Sequence, residues 1–159
     1  MKNKLALTIL ILILLFTGCS VNKEVNISNA EKLKLKPNEV IKNYFKYYNE
    51  KSRTGVLSTL TDWQNKPNLV LGFNKLKFIK LNTIVEDTDP KEKDDYMKYG
   101  RGKINGVKEN NVKNYKVTFT IEYKNNEGGA IANGKHTEWF TVIRKNKNSA
   151  WLIDDHGEG

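Results

Sequence analysis

The chain has 159 residues, with 27 lysines and arginines against 18 acids, a formal net charge of +9 and one cysteine. That length suffices for one domain with a real core and requires no second. A lone cysteine excludes an intrachain disulfide and a metal centre built on several thiolates, and two histidines leave little for any other metal site.

The chain opens with Lys2 and Lys4, continues with an apolar run over residues 5–16 broken only by Thr8, and then reaches the small residues Thr17 and Gly18. This is the layout of a secretory signal peptide over residues 1–18. The run is shorter than the roughly 20 residues that a transmembrane helix needs. Phe16-Thr17-Gly18-Cys19 resembles a bacterial lipobox. The resemblance implies that the Cys19 thiol takes a diacylglyceryl group and becomes the new N-terminus. Phe16 departs from the pattern, where a smaller aliphatic residue is usual, but Leu15 keeps the region apolar. Two acyl chains, at about 0.8 kcal/mol per buried methylene, anchor stably where one chain binds only reversibly. The expected location is therefore the extracytoplasmic face of the cell membrane, with the membrane itself as the first partner.

Cleavage before Cys19 leaves 141 residues, and because two lysines and no acid depart with the leader, the net charge becomes +7. That charge suits weak association with anionic headgroups or anionic envelope polymers. The basic residues are spread along the chain rather than gathered in one motif, and no nucleic-acid partner is expected. With Cys19 lipidated, no cysteine nucleophile remains.

Residues 19–36 are polar, lack sustained periodicity and read as a lipidated N-terminus with a flexible tether. The domain is placed at residues 37–159. In "PNEVIKNYFKYYNEKS", Pro37 suits a first helical turn, and Val40, Ile41, Tyr44, Phe45, Tyr47 and Tyr48 recur on one helical face. Ser52 can cap a second short helix carrying Val56, Leu57 and Leu60, although Gly55 weakens it. Residues 76–87 read as a strand whose apolar residues fall on both parities, so both faces are expected to be partly covered. In "DPKEKDDYMKYG", Asp89 is an N-cap, Pro90 opens a helix and Gly100 ends it; Asn105-Gly106 marks a tight turn.

"YKVTFTIEY", residues 115–123, alternates cleanly and is a strand. A glycine-containing connection leads to a strand over residues 136–145, and a short "NKNS" turn leads to a last strand over residues 150–155. Strands joined this way form an antiparallel meander with the N-terminal helices as its cover. Helices first and a long antiparallel sheet last is an order that resembles the nuclear-transport-factor-2-like superfamily. More closely, the run from "PNEVIKNYF" through "LKFIKL", "YGRGKINGVKEN" and "YKVTF" to "WLIDDHG" resembles an uncharacterised domain family of bacterial lipoproteins. The resemblance implies an α+β fold, two to three helices on a strongly curved, mainly antiparallel sheet in the shape of a cone. It brings no catalytic residues.

Candidate site residues lie at two places. "WLIDDHG" ends the chain with Asp154, Asp155 and His156, and a carboxylate beside an imidazole can do general acid/base work where a cavity moves both toward neutrality. His136 stands on the neighbouring strand. Adjacent residues of an extended strand point to opposite faces, so Asp154 and Asp155 are not expected to act as a dyad with each other. In "YGRG", Tyr99 precedes Arg101, which lies between two glycines; glycines let a backbone approach a ligand while a guanidinium grips a carboxylate or phosphate. Trp139 can line a pocket mouth. The commoner fates of these groups are one aspartate paired with a base and the other exposed, a solvated His156, a surface Arg101 and tryptophans in the core.

The preferred reading is a non-catalytic, lipid-anchored binding module that takes a small molecule or peptide in a pocket between helix and sheet, with no metal and no cofactor. The alternatives are a small isomerase- or hydrolase-like enzyme using a pocket carboxylate, and an envelope protein-interaction module. The anchor is tested by metabolic labelling with a fatty acid. The wild-type protein should incorporate label and the Cys19→Ala variant should not; equal labelling of both would remove the anchor.

Overall fold

The computed structural model describes residues 28–124 and 131–158. The segment read as a signal peptide, Cys19, most of the segment read as a tether and the Gly128-Gly129 part of the connection lie outside the described residues. Within them are five α-helices, one 3-10 turn and four strands, and none of the helices is long and apolar enough to cross a membrane.

Helix α1, Asn29–Lys32, occupies the end of the segment read as a tether. It is a single turn held by a capping box, in which the Ser28 hydroxyl accepts from the Glu31 N–H and the Glu31 carboxylate accepts from the Ser28 N–H. No side chain of α1 is buried, so it has no periodicity to read. Helix α2, Pro37–Asn49, starts at its proline, and the Glu39 carboxylate accepts the Lys36 N–H at 2.6 Å. It buries Val40, Ile41, Tyr44, Phe45 and Tyr47. Helix α3, Arg53–Leu57, is capped by the Ser52 hydroxyl, which accepts from the Gly55 N–H. A Cβ on Gly55 would lie 2.5 Å from Cγ of Tyr47. The glycine that weakens α3 as a helix is therefore what lets α3 approach α2.

The sheet runs β1 (Leu76–Asp87), β2 (Val112–Tyr123), β3 (Gly134–Ile143) and β4 (Leu152–Gly157), in that spatial order and antiparallel throughout. Two register shifts interrupt β1, between Leu76 and Phe78 and between Leu81 and Thr83. They explain part of its mixed parity, while the half-buried Phe78, opposite Glu122, stands on the other face, as partial cover on both faces requires. Leu76, Ile79, Leu81 and Ile84 lie opposite Tyr123, Ile121, Phe119 and Val117, all on one face of β2. Each bulge moves the alternation by one residue, and these four stay on a single side, whereas Phe78 and Val85 lie on the other.

That side packs on α2 and α3. Phe45 meets Phe119 at 5.1 Å and Phe140 at 5.7 Å between ring centroids, and Tyr44 meets Phe140 at 5.9 Å. These rings fill the space between α2 and β2 where a ligand pocket was expected. Each such apolar side chain contributes roughly 1.5–3 kcal/mol when fully buried. Helix α4, Pro90–Lys98, is capped by Asp89, whose side chain accepts the Lys91 N–H at 2.9 Å. Helix α5, Arg101–Asn105, ends at Gly106, which has φ +66°, so the predicted Asn105-Gly106 turn is a left-handed helix stop. Both helices lie toward the other face of the sheet. The free edge of β4 is held by main-chain bonds, Ile153 N–H to the Thr59 carbonyl at 2.8 Å and Thr61 N–H to the Ile153 carbonyl at 2.9 Å.

Candidate functional site

In β4, Ile153 pairs with Val142 and Asp155 with Thr141, so Asp154 is the extra residue of a β-bulge. The expected alternation of Asp154 and Asp155 is thereby corrected: with the bulge between them, both carboxylates serve the side that carries α4 and α5. They still make no dyad, because each has its own partners.

Asp154 is 2% exposed. Its Oδ1 accepts the Thr61 hydroxyl at 2.8 Å, and its Oδ2 accepts the Tyr96 hydroxyl at 2.6 Å and the Asn105 amide at 3.1 Å. Its main-chain carbonyl accepts the Trp63 indole N–H at 2.6 Å and the Gln64 amide at 2.7 Å. Arg101 turns inward, with Nε 3.8 Å from Oδ2 and its guanidinium 4.2 Å above the Trp63 ring. That Nε is buried and has no hydrogen-bond partner among the described residues, so the attraction to Asp154 is through space. Burial, followed by the bond to Asp154, pushes the Tyr96 phenol up and keeps it a donor. A carboxylate this fully engaged is architectural: it ties the loop after α3, both outer helices and the edge strand together. Arg101 is spent on it, and Tyr99 is 83% exposed beside it.

Beside this seam a cleft of about 400 Å³ opens between α4 and β3–β4, lined by Glu92, Asp95, Trp139, Thr141, Asp155 and His156, among others. A second cleft, of about 330 Å³, lies toward the loop after α3, where Trp63, Lys66 and Leu69 meet the same Asp155 and His156. Trp139 forms the shared wall between the first cleft and a groove along Asp87 and Asp89. Its indole N–H donates to Asp87 at 2.9 Å and the Lys116 ammonium lies 5.0 Å over its ring, so the ring is pinned at edge and face. Burial pushes the Asp155 carboxyl above its usual range and the neighbouring Asp154 charge adds to this, opposed by the His156 backbone N–H, the His156 side chain and Arg101. In a chain of net positive charge the first cleft gathers Glu92, Asp95, Asp155 and Glu158. Carboxylates and an indole wall accept ligands that present amino or hydroxyl donors. Among the described residues no three metal-ligating side chains converge.

His156 is not the solvated terminal residue its position suggests. Its Nδ1 lies 2.9 Å from Oε2 of Glu138, its ring stacks on Phe140 at 4.8 Å and 12°, and Tyr44 stands 5.8 Å away. Glu138 is only 13% exposed at its side chain. Sequence reasoning missed Glu138, although a signal existed: His136, Glu138, Phe140 and Val142 share one parity of β3, which put an acid on the covered face. His136 stays apart, its ring beside Phe119 at 5.7 Å and its Nε2 2.8 Å from the Ala132 carbonyl, and it lines neither cleft. None of the tryptophans is a core residue: Trp63 is exposed, Trp139 walls the cleft and Trp151 packs partly against the core under Arg144.

Two outcomes are expected. Asp154→Ala leaves Arg101 and the three donors Thr61, Tyr96 and Asn105 around an empty position, and should lower stability by about 3–5 kcal/mol in denaturant unfolding; a loss within experimental error would refute the hub. Asp155 behaves oppositely. Its native carboxyl holds its proton more tightly than the unfolded one, so its contribution is complete in acid and is lost as pH rises through the raised native value. Asp155→Asn should therefore raise the thermal midpoint at neutral pH, with the difference vanishing in acid below the unfolded carboxyl range. A midpoint lowered at neutral pH would contradict this.

A comparison with curated proteins finds no match to the chain. A family model does match, described as a domain of unknown function and covering residues 38–157, from the second residue of α2 to the last of β4. The aromatic α2 face, the bulged β4, the second cleft and all of the first except Glu158 fall inside that span, and the chain belongs to the DUF4829 family of domains of unknown function.

Proposed function

We propose that the mature protein is a lipid-anchored binding module on the extracytoplasmic face of the membrane, using the Trp139 cleft to take a small molecule or peptide group that presents amino or hydroxyl donors. The observation that carries this reading is the pinned indole of Trp139 lining, together with the partly buried Asp155, a cleft of about 400 Å³. Holding a carboxylate where burial disfavours its charge costs stability, and such groups concentrate where they serve a ligand. Phe16-Thr17-Gly18-Cys19 supports the anchor, and the lysine-rich surface supports loose attraction to anionic headgroups or envelope polymers. Helices followed by an antiparallel meander support the nuclear-transport-factor-2-like cone as the parent fold.

The test is a titration of the mature protein with a set of small amines, amino acids and amino sugars, followed by proton–nitrogen NMR. Binders should move the Trp139 indole N–H and the Asp155 amide, and Trp139→Ala should weaken them by roughly tenfold or more, about 1.4 kcal/mol. Shifts scattered over the lysine surface, or undiminished binding to Trp139→Ala, would overturn the cleft as the binding site.

A further inference from the structure

Resting on the lipid anchor proposed above, we infer that the corner made by the end of α4 and by α5 docks the domain on an anionic lipid bilayer. Tyr99 and Ile104 enter the headgroup layer, and Lys103 and Lys108 meet lipid phosphates. Residues 98–108, "KYGRGKINGVK", hold four basic residues and no acid. Tyr99 is 83% exposed and Ile104, five positions on, is 74% exposed. A tyrosine and a branched aliphatic set among lysines suit a membrane interface: the ring and the alkyl group leave water while the ammonium groups stay at the lipid charges.

The fold decides which way these side chains point. Arg101 and Asn105 are one helical turn apart, and both turn inward. The Arg101 Nε stands 3.8 Å from Oδ2 of Asp154, and the Asn105 amide donates to that oxygen at 3.1 Å and to the Tyr96 hydroxyl at 2.8 Å. A Cβ on Gly102 would lie 2.9 Å from Sδ of Met97 and from Cε1 of Tyr96, so the next side of α5 is pressed on α4. Lys103 and Ile104 take the remaining arc of the turn and are exposed. Ile104 is thus held outward by a helix fastened to the Asp154 seam. Lys77, Lys91, Lys98 and Lys113 are matched by Glu122, Asp95, Asp94 and Glu86 at 2.6–2.8 Å. Lys103 and Lys108 form no ion pair among the described residues. Arg144 donates from its main chain and from Nε to Asn111 at 3.1 and 3.0 Å, which sets the turn bearing the exposed Lys145 and Lys147 beside the segment that follows Lys108. Glu109 is the acid that stands among them.

The chain that precedes the domain selects a bilayer as the occupant. Ser28, the first described residue, is nine positions after Cys19. Even fully extended, that segment spans no more than about 32 Å. A folded unit of this size is roughly 35 Å across, so a lipid held at Cys19 keeps the domain within about its own width of the headgroups. At that range a patch too weak to recruit the chain from solution is enough to orient it, because the anchor supplies the local concentration. The net positive charge complements anionic headgroups and disfavours a second copy of the chain as the occupant. Gly100, between Tyr99 and α5, also lines the first cleft, so docking brings that cleft to the headgroup layer.

The test uses the mature chain, residues 19–159, carrying Cys19→Ala, so that neither the lipid nor a native thiol is present. An environment-sensitive dye is attached through Ile104→Cys, and in a matched sample through Val85→Cys, at a site 60% exposed on β1. With vesicles of phosphatidylglycerol and phosphatidylcholine, the dye at position 104 should brighten and shift to the blue while the dye at position 85 does not. Vesicles of phosphatidylcholine alone should change neither. In the unlabelled chain, Tyr99→Ser with Ile104→Ser should lower co-sedimentation with the anionic vesicles roughly tenfold at an unchanged thermal midpoint, and Lys103→Gln with Lys108→Gln should flatten its salt dependence. Equal dye responses at the two positions, or co-sedimentation undiminished by the Tyr99 and Ile104 changes, would overturn the docking corner. Fatty-acid labelling of the wild type reports the anchor independently. A responding position 104 without labelling would remove the anchor alone, and a silent position 104 with normal labelling would remove the corner alone.

Discussion

The carboxylate of Asp154 is carried into the seam where the edge strand, the loop after α3 and the two outer helices meet. Five side chains are arranged around that one residue, three on its oxygens and two on its carbonyl, and Arg101 leans in from 3.8 Å. A buried charge is tolerated only when its neighbours supply donors in good geometry, so the positions of Thr61, Tyr96 and Asn105 are coupled to one another through it. The bulge is the means: it inserts one residue into β4, turns its side chain toward α4 and α5 and releases the next residue, Asp155, to face the cleft. Without the bulge Asp155 would lie on the covered face with Ile153, and the cleft would lose one of its four carboxylates.

The same displacement sets the chemistry on either side of β4. On the covered face, His156 falls opposite Phe140 and within reach of Glu138, a polar pair at the margin of an aromatic core. On the outer face, the cleft has a carboxylate floor in a chain whose net charge is positive. Charge and function separate here: the spread lysines provide a diffuse field, whereas the local field in the cleft is set by Glu92, Asp95, Asp155 and Glu158.

Much of the framework is legible in residue order. The apolar stripe of α2, the Asp89-Pro90 start of α4 and the alternation of residues 115–123 identify three elements, because each signal acts within a turn or a pleat. The site was less legible for specific reasons. Arg101 between glycines resembles a ligand clamp, yet α5 forms and points it at Asp154. The tryptophans resemble core by composition, yet Trp63 and Trp139 are held at clefts by hydrogen bonds to Asp154 and Asp87. Mixed parity in β1 resembles two-sided burial, and two bulges bring Leu76, Ile79, Leu81 and Ile84 to one face while the half-buried Phe78 stays on the other.

What the sequence by itself determined is therefore local: helix starts, caps, strand alternation and an α+β order, all governed by neighbours a few residues apart. What only the tertiary structure decided is which polar groups meet. Thr61 and Asp154 are 93 positions apart and Glu138 and His156 are 18 apart, and both encounters depend on strand register and on a single inserted residue. A shift of one residue exchanges the two faces of a strand, so no local pattern can specify those contacts until the strands are paired.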